Sequence, residues 1–495
     1  MMTRIAGTCR FSLSLALPLL LAVSACSVNP VSHLPEVTLL TLEQEKKLGA
    51  EEAKKVEQEM GLLDDGALNS YADALGQRLA KESPRQDVPY QFHVVDMVEP
   101  NAFALPGGYV YVTRGLLALV NTEDELAGVI GHEIGHVAAR HTVQRVSRQG
   151  PFALITNLVS GVTGFFIPLV GNIVGGVGNL AQSLVFSPYS RSQESQADEV
   201  GQEIAAKAGW DPAGLAVFLN TLGREEVLLS DGPRKPSFFD SHPATPDRVK
   251  HTTKHAKDLT RSSREPISAS REAFLARLDG LVIGQRAANG IVQGQTYRHP
   301  DLNFFVQFPP SWNVDNTPVQ LASAPKDGGK AVVLRAVAAS NDPLDGARAL
   351  EKASKSSLPN TQTTTVNGLP AARTQVGDSR LTADLTWIAY GGMVYQIAGI
   401  AETRTFDAVR PVFQTVVQSF RPLSSDERNG IREKRLRLVK AHAGETVEAL
   451  TARSHSAWKA SQVTVANGLT GSEVLRDGQL IKIAAEEPYA GKPQR

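Results

Sequence analysis

Cysteine is nearly absent from this chain. Of 495 residues only Cys9 and Cys26 are cysteines, and both belong to or directly follow an apolar N-terminal segment. A chain that loses Cys9 with a signal peptide has no second cysteine for an internal disulfide, and with Cys26 carrying lipid it has no thiolate to offer a metal. Any metal site must therefore be built from histidine and carboxylate side chains.

Net charge is absent as well, because 51 lysines and arginines balance 51 aspartates and glutamates. Without a strong positive field, no nucleic-acid partner is expected. The hydrophobic content of 42% is ordinary for a folded protein. The length predicts two to four domains rather than one core.

Charge is also missing locally, because no charged residue occurs between Arg148 and Arg191. The stretch is long enough to raise the question of a membrane span. Pro168 and several glycines interrupt it, so neither half is a clean apolar run of about 20 residues. We expect a helical hairpin over 151–187 that is buried or touches a membrane.

The first 25 residues are predicted to be a signal peptide. Arg4 and Arg10 precede an apolar run at 11–23 that is too short to span a bilayer comfortably. The sequence VSAC at 23–26 resembles the bacterial lipobox, which implies cleavage before Cys26 and acylation of that residue. Ser27 is not the aspartate that retains such lipoproteins at the inner membrane. The resemblance favours the periplasmic face of the outer membrane, with a plain signal peptide as the alternative.

The stretch GVIGHEIGHVAARH, residues 128–141, contains the candidate metal-binding and catalytic residues. His132 and His136 are four positions apart on a helix predicted to run from Thr122 through Val146, so both imidazoles can reach one ion. Glu133 points to the adjacent side, where it could contact a metal-bound water. His141 lies five positions beyond the second histidine, which turns it away from the metal face. We expect it to be structural or to orient a ligand.

Two histidines leave zinc short of ligands, because a catalytic site takes three protein ligands and keeps one open position. Glu194, in SRSQESQAD on a second predicted helix at 190–210, is the best candidate for the third ligand. Asp198 lies one turn later on the same face. It could accept a hydrogen bond from the outer nitrogen of His132 or His136 and fix the tautomer of that ring.

These motifs, together with NAFALPGGYVYVTRGLL at 101–117, resemble the zinc metallopeptidase family that contains the CAAX prenyl endopeptidase, HtpX and BepA. The resemblance covers roughly residues 40–260. It implies one zinc ion on His132, His136 and Glu194, with Glu133 as the general base on a zinc-bound water. It also implies a mostly helical, gluzincin-like domain with a small sheet.

Two further features of this region have alternative interpretations. A predicted strand edge could hold an extended peptide by main-chain hydrogen bonds, or it could be an ordinary internal hairpin. The substrate-binding residues of that strand would be Asn101, Ala102, Phe103 and Ala104. His242, in DSHPATPDR, could stabilise an oxyanion or cap the open zinc position in a latent state, as in relatives resembling BepA. A plain loop histidine is the third interpretation.

Two more regions follow in the chain. Residues 297–424 resemble the PsbP-like α-β-α sandwich family through FVQFPPSWNV and MVYQIAGIAETRTFDAVRPVFQTVVQSF, and they contain no second catalytic cluster. Binding or spacing is their default role. Residues 438–484 resemble a LysM-like module through HAGETVEAL, VANGL and LRDGQLIKI. Such modules bind peptidoglycan, and a degenerate packing module is the alternative.

The sequence as a whole predicts a multidomain α+β protein. Its parts are a lipoprotein signal peptide at 1–25, a metallopeptidase domain at 26–286, a PsbP-like domain at 287–424, and a LysM-like module with a tail at 425–495. We predict a periplasmic, outer-membrane-anchored zinc endopeptidase that hydrolyses misfolded or unassembled envelope proteins. The alternatives are an envelope chaperone or assembly scaffold with latent protease activity, and a peptidoglycan-associated adaptor.

Overall fold

The computed structural model describes residues 26–38, 40–149, 185, 187–229, 238–243, 245–358 and 360–491. The predicted signal peptide and nearly all of the predicted hairpin at 151–187 lie outside the described residues. Among the helices of the described ranges, none combines the length and the apolar character that crossing a bilayer requires.

The N-terminal region, residues 26–286, begins with short strands and helices whose ends follow local capping chemistry. Thr41 and Gln44 form a capping box, and the Thr122 hydroxyl accepts a hydrogen bond from the Glu125 amide. The elements in chain order are β1 (Cys26–Val28), β2 (Pro35–Val37), α1 (Leu42–Glu59), α2 (Gly66–Ala80), β3 (Gln91–Val95), β4 (Ala102–Leu105), β5 (Tyr109–Thr113), α3 (Arg114–Leu119), α4 (Glu123–Ala138) and α5 (His141–Gln149).

The prediction of one continuous helix from Thr122 through Val146 is wrong. Helix α4 ends at Ala138, and α5 begins at His141. Between them Arg140 adopts a left-handed φ of 56°, which is costly for a residue with a side chain. Its guanidinium contacts Glu36 and Glu45, at 3.3 Å in each case, and these ion pairs offset the cost. The break changes the direction of His141 relative to a continuous helix.

The N-terminal region continues through α6 (Arg191–Ala208), α7 (Gly214–Leu229), α8 (Phe238–Ser241), α9 (Pro246–Asp258) and α10 (Arg271–Ala276). Helices α4 and α6 approach each other closely because glycines line their contact. A Cβ atom on Gly131 would lie 2.8 Å from the Gly201 carbonyl oxygen, and one on Gly135 would lie 2.8 Å from the Ala197 carbonyl oxygen. Side chains from the two helices can therefore share one site.

The small sheet of this region has the order β3-β5-β4. Strand β3 is parallel to β5, and β4 is antiparallel to it. Strand β4 is therefore an edge strand, and it packs against α4. The small sheet predicted for this region is present.

The middle region, residues 287–424, is built on a seven-stranded antiparallel sheet. Successive residues of its strand at 393–402 alternate between two cores: Tyr395 and Ile397 face one, and Val394 and Ala398 face the other. Its elements are β6 (Ile291–Gln293), β7 (Thr296–His299), β8 (Phe304–Gln307), β9 (Asn313–Asn316), β10 (Leu321–Ala324), β11 (Lys330–Ala338), α11 (Leu344–Ser354), β12 (Gln362–Val366), β13 (Leu369–Gly377), β14 (Leu381–Tyr390), β15 (Met393–Glu402), α12 (Phe406–Ser419) and β16 (Arg421–Pro422).

The large sheet has the order β12-β13-β14-β15-β11-β10-β9, and β16-β8-β7-β6 form a second sheet. Helix α11 contributes to the core on one face of the large sheet, and α12 contributes to the core on the other. Helices therefore lie on both faces of the large sheet. Trp387, on the face that α11 covers, is fully buried.

The C-terminal region, residues 425–491, contains α13 (Ser425–Asn429), β17 (Arg432–Lys440), α14 (Val447–Arg453), α15 (Ala460–Ala466) and β18 (Leu480–Pro488). The basic run at 432–440 is strand β17, paired antiparallel with β18. Its other side joins the N-terminal region, because the Leu436 amide donates to the Leu281 carbonyl (2.7 Å) and the Ile283 amide donates to the Lys434 carbonyl (2.8 Å). This region therefore extends the fold that carries the histidines.

Candidate metal centre

Four buried side chains converge between α4, α6 and the residue that follows α8. They are His132, His136, Glu194 and His242, and each offers one ligand atom within 4.8 Å of the others. His132 Nε2 lies 3.0 Å from His136 Nε2 and 3.1 Å from His242 Nδ1. Glu194 Oε1 lies 3.3 Å from His136 Nε2 and 2.9 Å from His242 Nδ1.

These separations test whether zinc fits the four donor atoms. Zinc bonds of about 2.0–2.1 Å in a tetrahedron place the ligand atoms about 3.3 Å apart. The separations quoted above, 2.9–3.3 Å, lie at or slightly below that value, and imidazole with carboxylate is a donor set that zinc accepts. The structure thus brings together the three residues predicted as ligands and adds His242 as a fourth donor.

His242 is directed at both the donor set and the neighbouring glutamate. Its Nδ1 belongs to the donor set, while its Nε2 lies 3.6 Å from Glu133 Oε1. The Phe238 ring stacks on the imidazole at 4.3 Å, and the His242 amide donates to the Phe238 carbonyl at 2.7 Å. In this arrangement the imidazole fills the position where a fourth ligand would bind.

Glu133 is fully buried beside the donor set. Neither of its carboxylate oxygens accepts a hydrogen bond from the residues that the structure describes. Burial raises the pKa of this carboxyl group above its usual value. A carboxylate whose oxygens are not occupied by hydrogen-bond donors of the described residues, and whose pKa is raised, is suited to act as a general base.

The outer nitrogen of His132 is held by a carboxylate. Asp198 Oδ1 lies 2.9 Å from His132 Nδ1, which resolves the choice between the two histidines left open above. Asp198 is in turn bound by Arg248, whose Nε and Nη2 each donate over 2.7 Å. This arrangement orients the ring so that Nε2 faces the donor set.

Arg248 was missed by the sequence analysis. Besides Asp198, its Nη1 lies 2.5 Å from Glu194 Oε2, and the residue is buried. Burial opposes ionisation of Glu194, but the charges of His242 and Arg248 outweigh it and hold its pKa well below the usual value. One sequence signal was available: a cation in the first turn of α9 opposes the helix dipole and so requires an anionic partner.

The outer nitrogen of His136 contacts His141. Their Nδ1 atoms are 2.8 Å apart, and His141 Nε2 lies 2.9 Å from Gln196 Oε1. The expectation that His141 turns away from the metal face assumed a continuous helix, and the break at Arg140 instead returns its ring to His136. Burial lowers the pKa of His136 well below the usual value, which favours the neutral ring that a metal ligand requires.

The predicted substrate strand lies next to this centre. Residues 102–104 belong to edge strand β4, and Asn101 precedes it. The Asn101 amide group is fully buried, and neither its oxygen nor its nitrogen has a partner among the described residues. The Phe238 amide donates to the Pro100 carbonyl at 2.9 Å, so the segment carrying His242 is tied to the start of this strand.

Comparisons with known proteins agree with this geometry. The profile of peptidase family M48 matches residues 67–256, which include all four donor residues. Metalloprotease LoiP of Escherichia coli is 35% identical over 185 residues, covering 37% of this chain and 67% of LoiP. The chain belongs to peptidase family M48. The resemblance drawn from the motifs is confirmed.

Longer matches occur to proteins named for barrel assembly. A putative beta-barrel assembly-enhancing protease of Vibrio cholerae is 28% identical over 282 residues, covering 54% of this chain and 57% of that protein. This M48 chain therefore spans little more than half the length of that relative. A solution structure of cyanobacterial PsbP from Synechocystis covers 28% of this chain at 15% identity, with a TM-score of 0.23, which is too low to establish a common fold.

Proposed function

We propose that this M48 chain is a zinc-dependent metalloendopeptidase and that the structure represents an inactive, latent state of it. The observation that carries the proposal is the set of four buried donor atoms, spaced for one tetrahedral ion, with the Glu133 carboxylate beside it. His132, His136 and Glu194 would hold zinc, and His242 would occupy the fourth position until substrate arrives. Family membership supports the reaction class.

Each residue then has a defined task. Bound zinc would supply Lewis-acid activation of water and of the peptide carbonyl. Glu133 would take a proton on Oε1 and return it to the leaving amine, a role that suits its raised pKa. Strand β4, at the edge of its sheet, would bind an extended peptide through main-chain hydrogen bonds.

His242 has two possible roles in this scheme, and we propose the latent one. The contact of its Nδ1 with the donor set and the approach of its Nε2 to Glu133 would block both the ion and the base. Substrate must displace the imidazole before either can act. The other role, stabilising an oxyanion, requires His242 to remain beside the substrate after displacement, so its removal would then lower activity.

For location, we propose acylation at Cys26 and anchoring to the periplasmic face of the outer membrane. The VSAC sequence supports this. Strand β1 starts at Cys26, and shortly after it the Asn29 side chain donates to the Ala139 carbonyl at 2.9 Å, at the end of α4. An anchor at Cys26 would hold the metal centre near the membrane.

For substrates, we propose misfolded or unassembled envelope proteins, supported by the names of the barrel-assembly relatives. An assembly scaffold with a suppressed protease is the second candidate, and the placement of His242 favours it. Peptidoglycan binding by the C-terminal region is a further proposal that rests on the LysM-like sequence pieces alone.

The deciding experiment measures zinc content and casein cleavage for the purified chain without its signal peptide. Glu133→Gln should keep stoichiometric zinc and lose at least about 100-fold in cleavage rate, because it removes only the base. His242→Ala should keep zinc and cleave faster than wild type if it is the blocking residue, and slower if it stabilises the oxyanion. Cleavage unaffected by Glu133→Gln would contradict the peptidase mechanism, and a cellular phenotype that survives the same change would favour the scaffold.

A further inference from the structure

We infer that Gln196, acting through His141, fixes the position of the proton on His136 and thereby presents His136 Nε2 to the metal. The inference rests on the proposed zinc centre and adds two positioning residues to it. Three side chains form the chain of contacts: His136 Nδ1 to His141 Nδ1 at 2.8 Å, and His141 Nε2 to Gln196 Oε1 at 2.9 Å.

The direction of the two hydrogen bonds follows from donor and acceptor chemistry. The amide oxygen of Gln196 can only accept, so His141 Nε2 must carry a hydrogen. A neutral imidazole has one N–H group, which leaves His141 Nδ1 as an acceptor. His136 Nδ1 must then be the donor in the other contact. The lone pair of His136 is therefore left on Nε2, the atom that belongs to the donor set.

The two histidine ligands are thus oriented by different means. His132 Nδ1 contacts the carboxylate of Asp198, which Arg248 neutralises. A carboxylate accepts a hydrogen bond directly and needs no further group to define the tautomer. His136 Nδ1 contacts another imidazole, which can donate or accept, so this contact leaves the His136 tautomer undefined until a third group decides it. Gln196 is that group.

The fold explains why Gln196 is placed to do this. It lies on α6 between Glu194 and Asp198, so one helix supplies the carboxylate ligand and the acceptors that serve both histidines. The break at Arg140 turns the His141 ring back toward His136, with the ring centroids 4.9 Å apart and the planes at 72°. The His141 ring is buried, so bulk water does not compete for its nitrogens.

Substitutions at Gln196 separate hydrogen-bond polarity from packing. Outer partners of metal-bound histidines are typically worth 10- to 100-fold in metal affinity. Gln196→Leu removes the acceptor and should weaken zinc binding about 10-fold or more, and Gln196→Lys should do the same because it offers only donors. Gln196→Glu retains an acceptor and should stay within about threefold of wild type. Gln58→Leu, at an exposed position on α1, is the matched control.

Two measurements on the full mature chain test the inference. Zinc affinity is measured by competition with a chromogenic chelator, and cleavage is not needed. Nitrogen-15 NMR of histidine-labelled, zinc-free protein reports which ring nitrogen carries the hydrogen. His136 should be protonated on Nδ1 in wild type and Gln196→Glu, and should shift toward Nε2 in Gln196→Lys.

The outcomes distinguish this inference from the proposed function. A wild-type chain that binds no zinc would defeat the zinc centre, while the NMR signals would still report on the tautomer. Zinc affinity unchanged in Gln196→Leu, or a His136 tautomer unchanged in Gln196→Lys, would overturn the inference even if the protein proves to be an active zinc peptidase.

Discussion

The middle and C-terminal regions are joined to the metal-binding region in different ways. The middle region buries its own cores on both faces of its seven-stranded sheet, around residues such as Trp387 and Phe413. The C-terminal region instead contributes Leu436 and Ala466 to the core that packs α2, α4, α6 and α7. The middle region can therefore unfold without exposing the core around α4. The C-terminal region cannot unfold without exposing it.

The contacts between the regions show the same difference. The middle region meets the N-terminal region at a polar contact, where the Asn289 side-chain amide donates to Asp96 Oδ2 over 3.0 Å. The C-terminal region inserts a fully buried lysine: Lys482 donates to the carbonyls of residues 118–120 at 2.8–3.0 Å, directly before the helix that carries His132. A buried ammonium group is tolerated only where acceptors surround it.

Trp387→Ala should have the largest effect on stability and yet spare the metal centre. Truncating a fully buried tryptophan costs about 3–5 kcal/mol, and the loss should appear in the unfolding of the middle region. Urea unfolding followed by circular dichroism should show a separate, earlier transition, while zinc content and the His136 NMR signals stay at the wild-type level. Trp387→Phe should cost less. Loss of zinc from the folded Trp387→Ala protein would mean that the middle region supports the centre.

Lys482→Met should destabilise the metal-binding region itself, by about 3 kcal/mol. The methionine keeps most of the side-chain volume but removes the ammonium donor from three buried carbonyl groups, of which that of Leu119 still accepts from the Asn121 side chain. The transition that releases zinc should move to lower urea concentration, and the transition of the middle region should not move. Lys440→Met, at an exposed position of β17, should change neither. Equal effects of the two lysine changes would contradict the view that the C-terminal region completes the catalytic fold.

What the sequence could predict depends on how local the cause is. Helical periodicity alone places His132 and His136 on one face, and the nearly continuous apolar run at 394–401 is typical of a strand buried on both faces. Arg248 and Lys482 act through partners far away in the chain, so their roles emerge only when the fold brings those partners near. The left-handed conformation of Arg140 is only partly predictable from the sequence around it, because it depends on ion pairs with Glu36 and Glu45, about a hundred residues earlier in the chain.

The smallest expected effect is on the pH dependence of stability, and it depends on one carboxyl group where the N-terminal and C-terminal regions meet. Glu125, in the first turn of α4, accepts a hydrogen bond from the Asn121 amide at 2.9 Å and lies near Lys482. Burial raises its pKa from the ordinary value of 4.5 to about 7, against the opposing charge of Lys482. Between these two pH values the folded protein binds more protons than the unfolded chain. The stabilisation is therefore fully present below pH 4.5 and is lost as pH rises through 7.

Glu125→Gln fixes the neutral state and should remove this dependence. Relative to the variant, wild type should lose about 2 kcal/mol of stability between pH 5 and pH 8, with the change confined to the transition that releases zinc. Urea midpoints measured at four pH values for both proteins give the difference directly, because titrations common to both cancel. Glu43→Gln, at an exposed position on α1, should follow wild type throughout. Parallel curves for wild type and Glu125→Gln would mean that Glu125 is already ionised in the folded state at pH 5, stabilised by the Lys482 ammonium. The contact between the two regions would then be an ion pair rather than a neutral carboxyl group beside the buried lysine.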